Sequence, residues 1–226
     1  MANIEEYLFE LRYKPNPRIL DKRGEIARAL TNEKLNFWSV NTNTVVLNPE
    51  GDENMEAIMS YQNISFRVNS PYDKKFFREQ LALFLKSSWS YLPTNEILRI
   101  GIRPKYLIEK ESFSDIYEKY RHKFLGLSDE DVSEFGGNLI DVGFPLNFYE
   151  GPNYYDLVTG PLKKEQYKMF FKNFDETLEQ GLFLDLDYYN KDVSPNIRQK
   201  EVMDFVDKGI EKGDKLIKLF NTQWLT

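Results

Sequence analysis

The chain has 226 residues, of which 41% are hydrophobic and 15% aromatic, and its 36 acidic and 30 basic side chains give a net charge of −6. These values predict a globular protein with a sizeable core and argue against disorder. The chain lacks cysteine, which excludes disulfides, thiolate nucleophiles and cysteine-bound metal sites. The acidic balance disfavours nucleic acid as a partner, because the summed field opposes the phosphate backbone.

No apolar run in the sequence approaches the roughly 20 residues that a membrane-spanning helix needs. The opening Met1-Ala2-Asn3-Ile4-Glu5-Glu6 lacks the basic and apolar regions of a signal peptide. We therefore expect a cytoplasmic protein that does not contact a membrane.

The first 93 residues carry the periodicities of a strand, a helix, two strands and a helix. Residues 6–14 alternate between apolar and polar side chains, which predicts a half-buried strand. Ser70-Pro71-Tyr72-Asp73 offers a hydroxyl cap, a proline and a carboxylate, which predicts a helix start. The predicted elements are a strand at 6–14, a helix at 18–30, strands at 35–47 and 55–68 joined by a turn at 48–52, and a helix from 70 to 91.

The remaining residues repeat a similar order of elements. In the next strand, apolar side chains alternate with Arg99 and Arg103, and Ser112 then begins a helix with a capping-box-like sequence. The chain closes with an apolar strand and, after Ser194-Pro195, a long amphipathic helix that runs towards Phe220. The predicted strands are 97–109 and 182–189, with apolar runs at 139–149, 154–158 and 167–171 between them.

These patterns predict an α+β protein made of two similar strand-helix-strand-strand-helix halves, residues 1–93 and 94–226. Each half is expected to pack its helices on one face of a mostly antiparallel sheet, in a ferredoxin-like manner. The two halves can also fuse into one compact unit.

The lack of recognisable catalytic motifs in the sequence favours a protein that is not an enzyme. His122 is the only histidine, so a two-histidine metal site within one chain is impossible. The sequence has no G-x-S-x-G, no Walker-type G-x-x-x-x-G-K and no G-x-G-x-x-G. We therefore predict no catalytic residue, no metal site and no cofactor, and we interpret His122 as a solvated helical side chain.

Asp185 and Asp187 form a D-x-D pattern, which places both carboxylates on one face of a strand, about 7 Å apart. Such a pair can share a cation such as Mg²⁺, with Asp141 as a third carboxylate, or divide acid and base roles. It can instead pair with Arg99 and Arg103 on another predicted strand, and this interpretation is favoured. The four residues Arg99, Arg103, Asp185 and Asp187 remain candidates for ligand binding.

Two further features of the sequence also lead to predictions. Glu10 and Arg12 are expected to form an ion pair on one face of the first strand. Tyr149, Tyr154 and Tyr155 flank Gly151-Pro152, a predicted hairpin turn where aromatic rings would be partly exposed. This aromatic hairpin is a candidate contact surface for a second copy or another protein.

The closing part of the chain carries a family resemblance. The strand Leu184-Asp185-Leu186-Asp187, the helix ending Ile217-Lys218-Leu219-Phe220 and the final Leu225-Thr226 resemble the C-terminus of a sporadically distributed prokaryotic family of uncharacterised proteins. Phe9-Glu10-Leu11-Arg12-Tyr13 and residues 98–106 are similar to the family's opening and middle strands. The last helix of this chain lacks a histidine usual in the family, so no role is transferred for it. The family has no established activity, and the resemblance therefore implies no mechanism.

Three functions remain open from the sequence. The leading hypothesis is a non-enzymatic interaction or assembly protein that self-associates through a sheet edge or the aromatic hairpin. The second is a regulator that binds a small molecule in a cleft between the halves, lined by Arg99 and Arg103. The third is an RNA-binding or RNA-processing protein resembling the tandem ferredoxin-like CRISPR processing endonucleases, with His122 as a base. The missing C-terminal glycine-rich loop and the acidic charge place it last.

Overall fold

The computed structural model describes residues 4–174 and 177–224 and confirms an α+β fold. Met1-Ala2-Asn3 and the closing Leu225-Thr226 lie outside the described residues. The described chain contains nine strands: β1 (Ile4–Tyr13), β2 (Phe37–Val40), β3 (Thr44–Asn48), β4 (Met55–Ser60), β5 (Asn63–Asn69), β6 (Ile97–Glu109), β7 (Phe144–Glu150), β8 (Asn153–Lys163) and β9 (Gln180–Asn190).

All nine strands belong to one antiparallel sheet with the spatial order β2-β3-β4-β5-β1-β6-β9-β8-β7. The two halves meet at its centre, where β1 pairs with β6 along its whole length from Ile4 to Tyr13. On either side of this pair lies the last strand of each half, β5 next to β1 and β9 next to β6. The halves are therefore joined by main-chain hydrogen bonds as well as by side-chain packing.

Seven α-helices connect or follow these strands in the described residues. They are α1 (Arg18–Asp21), α2 (Arg23–Leu30), α3 (Lys74–Ser88), α4 (Phe113–Tyr120), α5 (Asp129–Glu134), α6 (Lys164–Phe170) and α7 (Gln199–Leu219). A 3₁₀ turn extends α3 over Trp89–Tyr91, and π-helical turns extend α4 over Arg121–Leu125 and α7 over Phe220–Trp224.

The main hydrophobic core lies between the sheet and the helices α2, α3, α4 and α7. Alternate residues of the strands point into it, as the period-2 pattern requires. On β1 these are Tyr7, Phe9, Leu11 and Tyr13, all at most 1% exposed. A smaller apolar cluster lies on the opposite face, where Tyr167 and Phe171 cover Leu107 and Phe183. We call this opposite face the α6 face.

Helices α3 and α7 run antiparallel and tie the two halves together above the core. Arg78 donates two hydrogen bonds to Asp207, at 2.6 and 2.8 Å, and Lys74 donates one to Asp214 at 2.5 Å. Surface ion pairs of this kind contribute about 0–1 kcal/mol each, so the buried apolar contacts beneath them carry most of the stability.

The structure changes several predicted elements. The helix predicted at 18–30 is two helices that meet at Lys22, and the strand predicted at 35–47 is the β2–β3 hairpin. The strand predicted at 55–68 is likewise a hairpin, β4–β5, with its turn at Tyr61-Gln62. The helix predicted from Ser70 begins at Lys74, because the Asp73 carboxylate accepts the Phe76 N–H at 2.8 Å and caps it.

In the second half, β6 begins and ends where it was predicted, and Ser112 caps α4 as expected. Most of the apolar run at 167–171 belongs to the helix α6. Among the described residues, no helix is long and apolar enough to cross a membrane.

Candidate functional site

The two aspartates of the D-x-D pattern lie on the α6 face of β9, directly beside two arginines of β6. The Arg103 Nε and Nη2 groups donate to the Asp185 carboxylate at 2.7 and 2.6 Å. The Arg99 Nη2 group donates to both oxygens of Asp187, at 2.7 and 2.8 Å. Neighbouring strands thus place each guanidinium against one carboxylate, and ion pairing is the arrangement that the structure shows for all four residues.

These two pairs differ in how deeply each partner is buried. The Asp185 side chain is only 6% exposed, whereas that of Arg103 is 45% exposed. The hydrogen bonds to Asp185 raise the pKa of Arg103. For Asp187, burial raises the pKa of the carboxyl, and the nearby Arg99 opposes this effect. A buried carboxylate that depends on one arginine is expected to be structurally important.

Further ion pairs extend this network across the α6 face. Arg12 donates to Glu10 at 2.7 Å, which confirms the predicted same-face pair, and Arg99 also donates to Glu10 at 3.3 Å. Lys105 donates to Glu6 at 2.7 Å, so a fourth cation of this face is compensated within the chain. The charges on this face therefore largely neutralise one another, which does not favour binding of a polyanion such as RNA.

The remaining predicted site residues lie apart from this network. The Asp141 carboxylate accepts a hydrogen bond from Gln166 at 2.9 Å and precedes β7. His122 lies on the π-helical turn after α4, with Nε2 3.2 Å from a Glu118 oxygen, and its side chain is 60% exposed. In the part of the chain that the structure describes, no group of three or more His, Asp or Glu side chains is placed to hold a metal ion.

The aromatic hairpin is present as the β7–β8 hairpin, which turns at Gly151-Pro152. Gly151 has φ +62°, a conformation that favours glycine at the first position of a two-residue hairpin turn. Of the three predicted contact residues, Tyr149 is 69% exposed, while Tyr154 and Tyr155 are half-buried.

The half-buried tyrosines of this hairpin are held by ring contacts on opposite faces of the sheet. Tyr154 lies 5.0 Å from Tyr149 and 5.5 Å from Tyr189, and the Arg99 guanidinium lies 4.6 Å from the Tyr189 ring. Tyr155 stacks 4.5 Å from Phe148 on the other face. Much of the aromatic surface of this hairpin is therefore used for packing within the chain.

The sequence-based reasoning missed the edge strand at the other end of the sheet. Strand β2 is paired only with β3 in the described sheet, and three of its four side chains are large, apolar and exposed: Phe37 by 56%, Trp38 by 46% and Val40 by 39%. The signal available was the uncharged run Phe37-Trp38-Ser39-Val40, which was assigned to the longer strand predicted at 35–47. Because Asn41-Thr42-Asn43 turns the chain back, this run forms a strand of its own.

A half-buried acid, Glu5, lies on β1 on the side of the core, and it leads to a prediction about pH. The Glu5 carboxylate accepts the Tyr7 hydroxyl hydrogen bond at 2.7 Å, and the Glu5 N–H donates to Ser70 Oγ at 2.9 Å. Burial raises the pKa of Glu5, although the Tyr7 hydrogen bond and Lys74 oppose this. The folded protein therefore binds a proton at Glu5 at a higher pH than the unfolded chain does.

The replacement of Glu5 by glutamine should change how stability depends on pH. Because folding raises the pKa of Glu5, its protonated form stabilises the folded protein at pH values below the pKa of the unfolded chain, about 4.3. This stabilisation is lost as the pH rises through the pKa of Glu5 in the folded protein. Glu5→Gln keeps an acceptor for Tyr7 but cannot ionise, so its stability relative to the parent should increase as pH rises from about 4 to about 7. Urea denaturation across this range measures the difference, and parallel pH profiles for the two proteins would contradict it.

Comparison of the sequence with protein-family models gives no match, and comparison with curated proteins finds no relative. The resemblance to the uncharacterised prokaryotic family therefore stays a prediction.

Proposed function

We propose that this protein is a non-enzymatic interaction protein that self-associates by strand pairing at the β2 edge. The observation that carries the proposal is the exposure of Phe37, Trp38 and Val40 on the terminal strand of a nine-stranded sheet. The outer edge of a sheet presents main-chain N–H and C=O groups that can pair with another strand. Exposed apolar side chains beside such groups favour association over solvation.

The composition of β2 favours the β2 edge, rather than the β7 edge, as the interface for self-association. Natural edge strands of monomers are commonly protected by lysine, proline or other charged residues. Strand β7, at the opposite edge, contains Pro145 and ends in Glu150, which forms an ion pair with Lys212 at 2.7 Å. Strand β2 contains neither a charge nor a proline within Phe37–Val40.

A second copy of this chain is the partner that we propose. Two β2 strands related by a two-fold axis can pair antiparallel, because every residue of one strand then meets the equivalent surface of the other. The edge is uncharged, so like-charge repulsion does not oppose this contact locally. Pairing would bring the two Trp38 side chains to one interface, where tryptophan commonly contributes strongly to binding.

The self-association proposal is tested by comparing matched edge variants. Trp38→Lys/Val40→Lys should raise the dissociation constant of the dimer by at least about thirtyfold, since charges on an edge strand oppose pairing. The control is Phe148→Lys/Tyr149→Lys, which also introduces two lysines, but at the β7 edge, and should leave the dimer intact. Sedimentation equilibrium over a range of protein concentrations measures both.

Each outcome of this comparison is decisive. A parent protein that stays monomeric at every concentration overturns the proposal, and so does a dimer that persists in the β2 variant. Loss of the dimer in the β7 variant alone would show that the aromatic hairpin, and not β2, forms the interface.

A further inference from the structure

A cavity of about 450 Å³ lies in the second half of the chain, remote in the sheet order from β2. Its walls come from the β9–α7 connection, the first turns of α7 and the turn between β7 and β8. This volume falls within the roughly 300–1,000 Å³ typical of small-molecule pockets. The cavity differs from the cleft predicted between the halves, because Arg99 and Arg103 do not line it.

The floor of this cavity is apolar and held in place by the core. Ile100 of β6 is 2% exposed, and Val193, Ile197 and Phe205 are half-buried around it. The Phe205 ring lies 5.1 Å from the ring of Tyr188, a buried residue of β9. A small hydrocarbon or aromatic group could therefore replace water on this floor, which is favourable in proportion to the apolar area covered.

The rim of the cavity carries an excess of negative charge. Asp192, Glu201 and Asp204 line it together with a single cation, Lys208. Arg198 donates to Glu201 at 3.0 Å and so compensates that carboxylate. Within residues 4–174 and 177–224, Asp192, Asp204 and Lys208 form no ion pair of 4.0 Å or less. The lining itself thus holds three carboxylates and one ammonium group, with the Arg78 and Arg198 guanidinium groups close enough to interact electrostatically with Asp204.

Local hydrogen bonds hold the backbone that carries one of these carboxylates. The Asp192 N–H donates to Asn190 Oδ1 at 2.6 Å, and the Asn190 side chain donates to Asn153 Oδ1 at 3.3 Å. These bonds connect the β9–α7 connection to the start of β8, so two walls of the cavity are joined through side chains. The backbone of Asp192 is therefore tied to the ends of β8 and β9.

We propose that this cavity binds a small organic amine with an apolar body. The ammonium group would lie against Asp192 and Asp204, where charge-assisted hydrogen bonds are strong, and the apolar body would cover Ile100 and Phe205. An anion of the same shape would meet three carboxylates of the lining and only one cation, Lys208. The cavity should therefore discriminate by the charge of the head group and not by the apolar body alone.

Two probes with the same phenyl body test this discrimination: the cation phenethylamine and the anion 3-phenylpropanoate. Titrations followed by amide chemical shifts should show saturable binding of phenethylamine, with shifts in residues 190–205. The anion should bind at least about tenfold more weakly, which corresponds to losing one charge-assisted contact. Equal or tighter binding of 3-phenylpropanoate overturns the proposal, and so does the absence of saturable phenethylamine binding at millimolar concentrations.

Matched variants then locate the binding site. Asp204→Asn should weaken phenethylamine binding about tenfold, because Asp204 is exposed and its loss removes a direct partner of the ammonium group. Glu211→Gln is the control, since it makes the same charge change at an exposed position of α7 that does not line this cavity. An equal loss in both variants would mean that net charge, not the cavity, attracts the amine, and it would overturn the assignment.

Discussion

Replacing Arg103 with methionine is expected to lower the free energy of unfolding by about 3 kcal/mol, because it leaves a buried carboxylate without its partner. Asp185 is 6% exposed, and both of its oxygens accept hydrogen bonds from the Arg103 guanidinium. Methionine retains much of the apolar stem that packs on the sheet and removes only the charged donors. Urea denaturation at neutral pH measures this loss.

The converse change, Asp185→Asn, should cost less, about 1–2 kcal/mol. Arg103 is nearly half exposed, so its guanidinium can be hydrated when the carboxylate is removed. The double variant Arg103→Met/Asp185→Leu should recover much of the stability lost in Arg103→Met, since it leaves no buried charge.

A surface pair on the same sheet face supplies the control for this prediction. Arg12 is 56% exposed and donates to Glu10, so Arg12→Met should change the unfolding free energy by less than about 1 kcal/mol. If Arg12→Met and Arg103→Met are equally destabilising, burial of Asp185 does not determine the strength of this pair.

The pairing of the D-x-D carboxylates with arginine was predictable in part, because strand periodicity determines which charged side chains share a face. Alternation places Arg99 and Arg103 on one face of β6, and Asp185 and Asp187 on one face of β9. Opposite charges on neighbouring strands then form ion pairs. The sequence could not specify that β6 and β9 are neighbours, because strand pairing across a long separation is set by the packing of the whole fold.

Turn chemistry explains which hairpins were found and which were missed. The hairpins at Pro49-Glu50-Gly51 and Gly151-Pro152 contain glycine and proline, which mark turns strongly. The turns at Asn41-Thr42-Asn43 and Tyr61-Gln62 lack both residues, so each hairpin was assigned to one longer strand. Because residues 35–47 were predicted as one strand, the exposed edge at β2 was not predicted.

Exposure of an apolar strand cannot be deduced from its own residues. Phe37 and Trp38 would suit a central strand as well as an edge, because their side chains have high strand propensity in both positions. Their exposure follows from the place of β2 at the end of the sheet order. The candidate interaction surface therefore depends on topology, which the sequence pattern alone did not provide.

Close packing of α7 on the sheet is another feature that the sequence did not indicate. Gly209 and Gly213 are one helical turn apart and buried, and both face the sheet. A Cβ atom at Gly213 would lie 2.6 Å from the Tyr106 hydroxyl oxygen and 3.1 Å from Pro104 Cγ. A glycine inside a helix normally lowers helix stability by about 1 kcal/mol relative to alanine, so these two glycines are explained by the close approach that they permit.

Substitution of Gly209 by valine is expected to destabilise the protein by about 3 kcal/mol, at the upper end of the range for an overpacked core. A Cβ atom at this position would overlap Ile102 Cγ2 and lie 3.0 Å from Tyr188 Cδ1. Ile102 and Tyr188 are buried residues of the central strands β6 and β9, so neither can move away into solvent. The helix would have to shift outward, which weakens its contacts along the core.

Alanine substitutions separate this steric effect from helix propensity. Gly209→Ala gains helix propensity but still introduces the overlapping Cβ, so it should destabilise by about 1–2 kcal/mol. Gly24 of α2 is exposed and would have no atom within 4 Å of an added Cβ, so Gly24→Ala should be neutral or stabilise by up to about 1 kcal/mol. Thermal and urea denaturation of these variants give the comparison. A stabilised Gly209→Ala protein would show that α7 does not need glycine to approach the sheet at this point.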